Sequence, residues 1–252
     1  MTRIAMWCAP RTISTALMRA WENRPDTTVI DEPFYAHFLQ VTGIDHPASD
    51  EIIAGYESDW RVVARTLSED PLPGGATVWY QKHMAHHMLD HIELNWLDKL
   101  TNCFLIRSPV EVITSYIKVR SQPTLLDLGF PQLLRLFDTV RRNTGSIPPV
   151  IDSQDVLEDP RGTLMLLCEA VAVPFSDKML SWPPGRRDSD GLWAPYWYAA
   201  VEKSTGFAPY RPKNEQPPPQ LQDLLTQAQA AYQELYRFRL TTRDRGRRSV
   251  PG

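Results

Sequence analysis

Nine side chains able to hold an anion or move a proton fall in four short stretches of the sequence. Arg11, Thr12, Ser14 and Thr15 come first, in the run Cys8-Ala9-Pro10-Arg11-Thr12-Ile13-Ser14-Thr15. A guanidinium and three hydroxyls beside a helix start suit an anion, because the first turn of a helix offers unpaired N–H groups and the positive end of its dipole. Glu32 follows in Asp31-Glu32-Pro33-Phe34, then the pair Lys82-His83, then Arg107 with Ser115 eight positions on. A carboxylate or a neutral imidazole can take a proton from an attacking hydroxyl. A forked guanidinium suits a phosphate or sulfate. A rival pattern is His83, His87 and His91, spaced i, i+4, i+8, which one helix face would align and which could hold a metal. With no H-E-x-x-H and no partnered carboxylate, a capping or surface role outweighs that reading, and no metal is expected.

The elements that must position these groups alternate. Short apolar, β-branched runs at 4–7, 27–30, 77–81, 101–106 and 149–151 read as strands. Helical periodicity covers 14–23, 37–43, 56–69, 86–100, 111–121, 131–143, 160–171, 176–180 and 221–239, with 46–50 a loop. Strands apolar on both faces and separated by helices predict a mostly parallel α/β sheet covered on both sides. In such sheets ligands bind outside the C-terminal strand ends, where all four stretches fall; Lys82-His83 is read as following the third strand. A single domain over 1–240 is expected. Its aromatic segment 182–210 (Trp182, Trp193, Tyr196, Trp197, Tyr198, Phe207, Tyr210) is read either as a lid over an acceptor region spanning 182–215 or as a satellite cluster. The Arg-rich tail 241–252 is expected to be disordered.

With 252 residues, 42% of them apolar and 23% charged, the chain can bury a substantial core. A formal net charge of -3 argues against general nucleic-acid binding. The three cysteines, far apart in sequence, suggest neither a disulfide framework nor a metal site, and a reducing compartment. No apolar run approaches the ~20 residues of a membrane span and no leader is visible, so a cytoplasmic protein without a membrane partner is expected. Whether it forms a homodimer stays open.

The motifs resemble those of the P-loop sulfotransferase superfamily, in particular its soluble bacterial-type members and their plant relatives. Pro10-Arg11-Thr12-Ile13-Ser14-Thr15-Ala16-Leu17 is similar to the family's P-R-S-G-S-T-x-L loop. Arg107 with Ser115, followed by Tyr116, is similar to its second motif, and Asp31-Glu32-Pro33-Phe34 to its E-P-F. Residues 150–176 resemble its fifth strand and the segment after it, so the likeness spans roughly 3–180. Lys203-Ser204-Thr205-Gly206 stands where the family's late cofactor-covering loop falls. Ile13 replaces a frequent Gly, and the late R-K-G-x-x-G is absent as such.

The resemblance implies a P-loop NTPase-like three-layer α/β/α sandwich with about five strands. It implies a sulfotransferase using 3′-phosphoadenosine 5′-phosphosulfate (PAPS) as co-substrate and a small-molecule hydroxyl as acceptor. Arg11, Thr12, Ile13, Ser14 and Thr15 would cradle the 5′-phosphosulfate, and Arg107 with Ser115 would grip the 3′-phosphate. Arg11 would also neutralise charge developing on the leaving group. Glu32 is the preferred catalytic base and His83 the alternative, with Lys82 reaching the leaving group or donor sulfate. A non-catalytic nucleotide-binding protein of the same fold is the second reading. A P-loop kinase is disfavoured, because the loop lacks G-x-x-x-x-G-K-[ST].

Overall fold

The computed structural model describes residues 1–241, so most of the tail expected to be disordered lies outside the described residues. Five parallel strands form the centre: β1 (Thr2–Cys8), β2 (Thr27–Asp31), β3 (Val78–Met84), β4 (Thr101–Ile106) and β5 (Val150–Asp152). Their order is β2-β3-β1-β4-β5, which places β1 in the middle. On one face lie α1 (Ser14–Glu22) and, later in the chain, α7 (Ser153–Glu158) and α8 (Pro160–Ala170). Leu17, Met18, Trp21, Val156, Leu164 and Leu167 pack there against Ile4, Met6 and Tyr80. Before those two helices come α2 (Tyr35–Thr42), α3 (Ser49–Gly55), α4 (Trp60–Glu69), α5 (Pro109–Tyr116) and α6 (Phe130–Thr144). Residues of α4, α5, α6 and the C-terminal helix Gln222–Tyr236 cover the other face, over Trp7, Trp79 and Phe104. The expected three-layer sandwich is therefore the observed one. Among the described residues no helix is long and apolar enough to cross a membrane.

The connection after β1 leads to the α1 face, whereas α5, after β4, packs on the opposite face. Neighbouring strands whose exits diverge leave a crevice at their C-terminal ends, the usual ligand position in such sheets. Arg11 follows β1 and Arg107 follows β4, so both stand at that crevice.

Three expectations change. β3 runs on to Met84, so Lys82 and His83 lie inside the strand, not after it. Because successive strand residues face opposite sides, these two neighbours point apart. The expected helix 86–100 does not form; the stretch holds only the single turns Ala85–His87 and Asn95–Lys99. Arg135, 47 residues on, donates to Met88 O at 2.6 Å, and the nearby Asn102 donates Nδ2 to Leu97 O and Leu100 O at 2.8 and 3.1 Å. His83, His87 and His91 thus share no helix face. Finally, α3 begins inside the expected loop 46–50, where Ser49 Oγ donates to His46 O at 2.6 Å.

The aromatic segment is folded, with Trp182, Trp193 and Tyr198 buried and Tyr196 exposed. It contains α9 (Ala194–Trp197) and α10 (Ala199–Glu202), which makes the C-terminal helix α11. Trp193 and Tyr198 pack with Tyr35, Phe38 and Leu39 of α2, while Trp182 meets Phe207 edge-on at 5.1 Å.

Candidate active site

The loop after β1 is built from its backbone. Arg11 and Ile13 both have positive φ, 64° and 57°, and Ile13 is the residue before α1. Such left-handed positions turn successive N–H groups into an anion-binding concavity, and the first amides of α1 have no acceptor within the helix. This gives a physical reason for a frequent Gly at position 13: the backbone is in glycine territory. Ile13 tolerates it by packing its side chain against the α1-side core. Replacing Ile13 by Gly and by Ala tests this. Gly is expected to be the more stable of the two by about 1 kcal/mol in urea unfolding, since a Cβ costs about that much at positive φ.

Two anchors hold the loop. Thr12 is fully buried and its hydroxyl donates to Ala9 O at 2.8 Å, so it staples the loop instead of offering a free donor. Ser153 Oγ lies 3.0 Å from Thr12 O and 2.9 Å from Ile106 O, tying the loop to β4. Arg11 is exposed and uses Nε on Ser115 Oγ at 3.0 Å. Arg107 donates to Arg11 O at 2.7 Å and pairs with Glu111 at 2.9 Å. Arg11, Ser115 and Arg107 therefore meet. Although Arg11 reaches solvent, desolvation of its guanidinium among the loop atoms, and then the nearby Arg107 charge, pull its pKa below the ordinary value.

Glu32 follows β2 directly, in a conformation that only its setting stabilises, with φ at 43°. Its N–H donates to Lys82 O at 2.9 Å, and its carbonyl accepts from Tyr35 N at 3.0 Å. That second bond closes a turn with Pro33 and Phe34 at its centre; Phe34, at φ -92° and ψ 5°, has the third-residue geometry of a type I turn. Lys82, with a side chain only 1% exposed, spends all three protons: on Glu32 Oε1 at 2.6 Å, Asp31 Oδ1 at 2.7 Å and Tyr198 OH at 2.7 Å. It holds the carboxylates and has no proton left for a leaving group. Tyr198 OH donates to Asp31 Oδ2 at 2.5 Å, and Trp193 Nε1 lies 3.2 Å from the same oxygen.

The free Glu32 oxygen, Oε2, is 4.0 Å from His87 Nε2, and His87 stacks on Tyr35 with ring centroids 4.7 Å apart. Burial raises the Glu32 pKa; Lys82 opposes this and Asp31 adds to it. For Lys82, burial would lower the pKa, but Asp31 and Glu32 outweigh it and leave it raised, so the ammonium persists. Cys8 Sγ donates to His83 O at 3.1 Å, and burial raises its pKa to about 11, so it is an inert thiol. One strand, β3, separates β1 from β2, which puts Glu32 about 10 Å across the rim from the anion loop.

His83 lies elsewhere. It stacks on Trp7 at 4.2 Å and sits 3.2 Å from Gln81 Oε1, on the opposite side of β3 from Lys82. The imidazole brought to Glu32 is that of His87. Lys203-Ser204-Thr205-Gly206 also falls away from the loop: Trp182 N donates to Thr205 O at 3.0 Å, next to Asn23 at the C-terminal end of α1.

Residues 2–238 match the family model described as a sulfotransferase domain. The chain belongs to that sulfotransferase family. It is 36% identical over 205 residues to the branched-chain-amino-acid aminotransferase-like protein 1 of Arabidopsis thaliana, an alignment covering 81% of this chain and 36% of that protein. The chain thus spans about a third of the length of that curated relative. Two solved structures share the fold. The sulfotransferase domain of the Synechococcus PCC 7002 olefin synthase has a TM-score of 0.56 at 17% identity, covering 96% of each chain. The sulfotransferase domain of the curacin biosynthetic pathway has a TM-score of 0.52 at 18% identity, covering 93% of this chain and 97% of that one.

The buried histidines of this sulfotransferase-family chain lead to the expectation that acid destabilises its fold. Burial pushes His83 and His86 down to about 3, and His87 in the same direction. In the unfolded chain they take up protons near 6.5, so between 6.5 and 3 the unfolded state binds more protons. Their contribution is complete above pH 6.5 and is lost as pH falls towards 3. Asp152, raised by burial to about 6, acts oppositely, favouring folding at low pH and losing that contribution as pH rises through 6. Glu32 and Asp155, also raised by burial, act in the same sense as Asp152, while burial lowers His37 and His46 too, so five histidines stand against three carboxylates. The urea midpoint is expected to fall from pH 7 to pH 5, less steeply in His86→Gln; a midpoint that rises towards pH 5 would contradict the assignment.

Proposed function

We propose that this protein is a cytoplasmic, PAPS-dependent sulfotransferase acting on a hydroxyl of a small molecule, with Glu32 as the base. The observation that carries this reading is the meeting of Arg11, Arg107 and Ser115 at the start of α1, with the lysine-held Glu32 on the same rim. Sulfuryl transfer, like phosphoryl transfer, needs positioning and neutralised charge more than covalent help from the protein. In this reading the α1 amides and Arg11 hold the 5′-phosphosulfate, and Arg107 with Ser115 holds the 3′-phosphate. The bond from sulfur to the bridging oxygen breaks as the acceptor oxygen bonds to sulfur. The acceptor proton passes to Glu32 Oε2, the oxygen that Lys82 leaves free. Tyr35, Phe38, His87 and Trp193 form a buried cluster of rings beside Glu32, and in this reading an acceptor with apolar surface lies against it.

Thermal shifts with PAP (the desulfonated donor), ATP and ADP test the donor class. PAP is expected to stabilise and ATP not to; the reverse would sink the proposal. Arg107→Ala is expected to weaken PAP binding by about 1.5–3 kcal/mol, as for a charge-assisted hydrogen bond. A screen of labelled donor against alcohols, phenols, sugars and amines would identify the acceptor. The non-catalytic reading would be favoured by PAP binding with no turnover across that screen. The aminotransferase-like name belongs to a protein of which the aligned part is 36%, and it sets no expectation for this chain.

A further inference from the structure

We propose that His37 and His91 form a binding site for a divalent transition metal, with Ni2+ or Cu2+ favoured over Zn2+. His37 lies on α2 and His91 in the segment after β3, and their Nε2 atoms are 2.9 Å apart. Two nitrogens bound to one ion at about 2.1 Å and at right angles to each other stand about 3.0 Å apart, whereas tetrahedral ligation would need about 3.4 Å. The N–H···N hydrogen bond now sets the 2.9 Å separation, so a small tilt of the rings reaches either spacing, and the preference for Cu2+ and Ni2+ rests on the affinity order of divalent ions at nitrogen sites, which peaks at Cu2+.

The tautomers suit this role. His37 Nδ1 lies 2.8 Å from Ser58 O, so it carries the proton and donates to that carbonyl. The His37 Nε2 lone pair is then directed at His91. A backbone carbonyl behind a ligating imidazole is the ordinary support of a metal-bound histidine, since it fixes both the tautomer and the ring. His91 supplies the proton of the His37–His91 hydrogen bond from Nε2. On binding, that proton moves through solvent to Nδ1 and the freed lone pair turns to the ion. His91 is exposed, so its ring has room to tilt.

The pair opens on a pocket of about 450 Å³ that Glu57, Asp59 and Gln40 also line. Glu57 and Asp59 each use one oxygen on a backbone N–H, at 2.8 and 2.9 Å, and their charge stands at the pocket beside that of Arg61, which also lines it. Among the described residues no cluster of three or more His, Cys, Asp or Glu side chains could hold a metal, so the site uses two imidazoles and completes its shell with water. An ion here would tie α2 to the segment after β3. Those two elements also carry Tyr35 and His87, the stacked rings beside Glu32.

Calorimetric titration of chelator-treated, untagged full-length protein with NiCl2, and Cu2+ paramagnetic resonance, test the site. A single saturable equivalent, nitrogen hyperfine structure and a raised melting temperature are expected. His91→Ala, at an exposed position that should leave the fold intact, and His37→Gln are each expected to weaken binding by about tenfold or more, as even supporting residues of metal sites do. The Ni2+-induced thermal shift should vanish in His91→Ala. The proposal is overturned if no saturable binding occurs. It is equally overturned if both variants keep wild-type affinity, or if the nitrogen signal survives both, which would place the ion at His46, His86 and His87. None of these outcomes depends on sulfuryl transfer.

Discussion

Glu32→Gln is expected to lower turnover by about 10²–10⁴-fold, the usual contribution of a general base, while leaving the PAP-induced thermal shift unchanged. The substitution keeps nearly everything but basicity. The amide oxygen can still accept from Lys82, the turn at Pro33 is backbone-made, and the anion loop lies about 10 Å away across β3. What disappears is the free carboxylate oxygen. Its side chain is only 11% exposed, and burial raises its pKa, a combination that makes a carboxylate a better proton acceptor than one in water. The acid limb of kcat/KM is therefore expected to lie above the ordinary value of 4.5, because the base form is lost as pH falls through the raised pKa. Wild-type turnover in Glu32→Gln would remove Glu32 as base. His83→Ala is a useful contrast: His83 stacks on Trp7 behind the sheet, so its loss should lower stability and spare the position of the acid limb.

The groups that local chain geometry brings together were legible in the sequence. Arg11 and Ser14 belong to one turn, Arg107 and Ser115 to one strand exit and its helix, and apolar strand runs placed both at the same rim. The partners of Lys82 were not legible. Tyr198 is 116 residues away and Trp193 is 162 residues from Asp31, and nothing local in an irregular aromatic segment marks which rings turn inward. The length of β3 was also hidden, because Lys82 and His83 interrupt an apolar pattern that continues to Met84. Those two extra residues decide that Lys82 faces Glu32 while His83 does not. For 86–100 the helical spacing of Met88, Ile92 and Trp96 was real, and all three are buried in one core. Arg135 takes the Met88 carbonyl that such a helix would use, and Asn102 ties Leu97 and Leu100 into the turn that enters β4. The tight loop backbone could be suspected at Ile13 only by comparison with a Gly; the positive φ values of Arg11 and Glu32 left no trace in residue type.

Lys82→Met should cost about 3–5 kcal/mol of folding stability, the usual penalty for removing one partner of a buried ion pair. Methionine nearly fills the lysine volume, so packing changes little and the loss reports the charge. The two carboxylates do not suffer equally. Asp31 keeps the Tyr198 hydroxyl at 2.5 Å and the Trp193 indole at 3.2 Å, whereas Glu32 loses its 2.6 Å bond, and the Tyr198 hydroxyl 3.4 Å away has its one proton on Asp31. A second substitution therefore discriminates. Glu32→Gln in the Lys82→Met background should recover more stability than Asp31→Asn, which also breaks a satisfied network. The pH dependence carries the same signature. An unpaired Glu32 can escape its penalty by taking a proton, so the deficit of Lys82→Met should shrink below the ordinary carboxylate pKa and grow as pH rises past it. Urea unfolding of the single and double variants at pH 5 and pH 8 measures both effects. A pH-independent loss below about 1 kcal/mol would mean that the trio behaves as a solvated surface pair, and the same water would then quench the basicity assigned to Glu32.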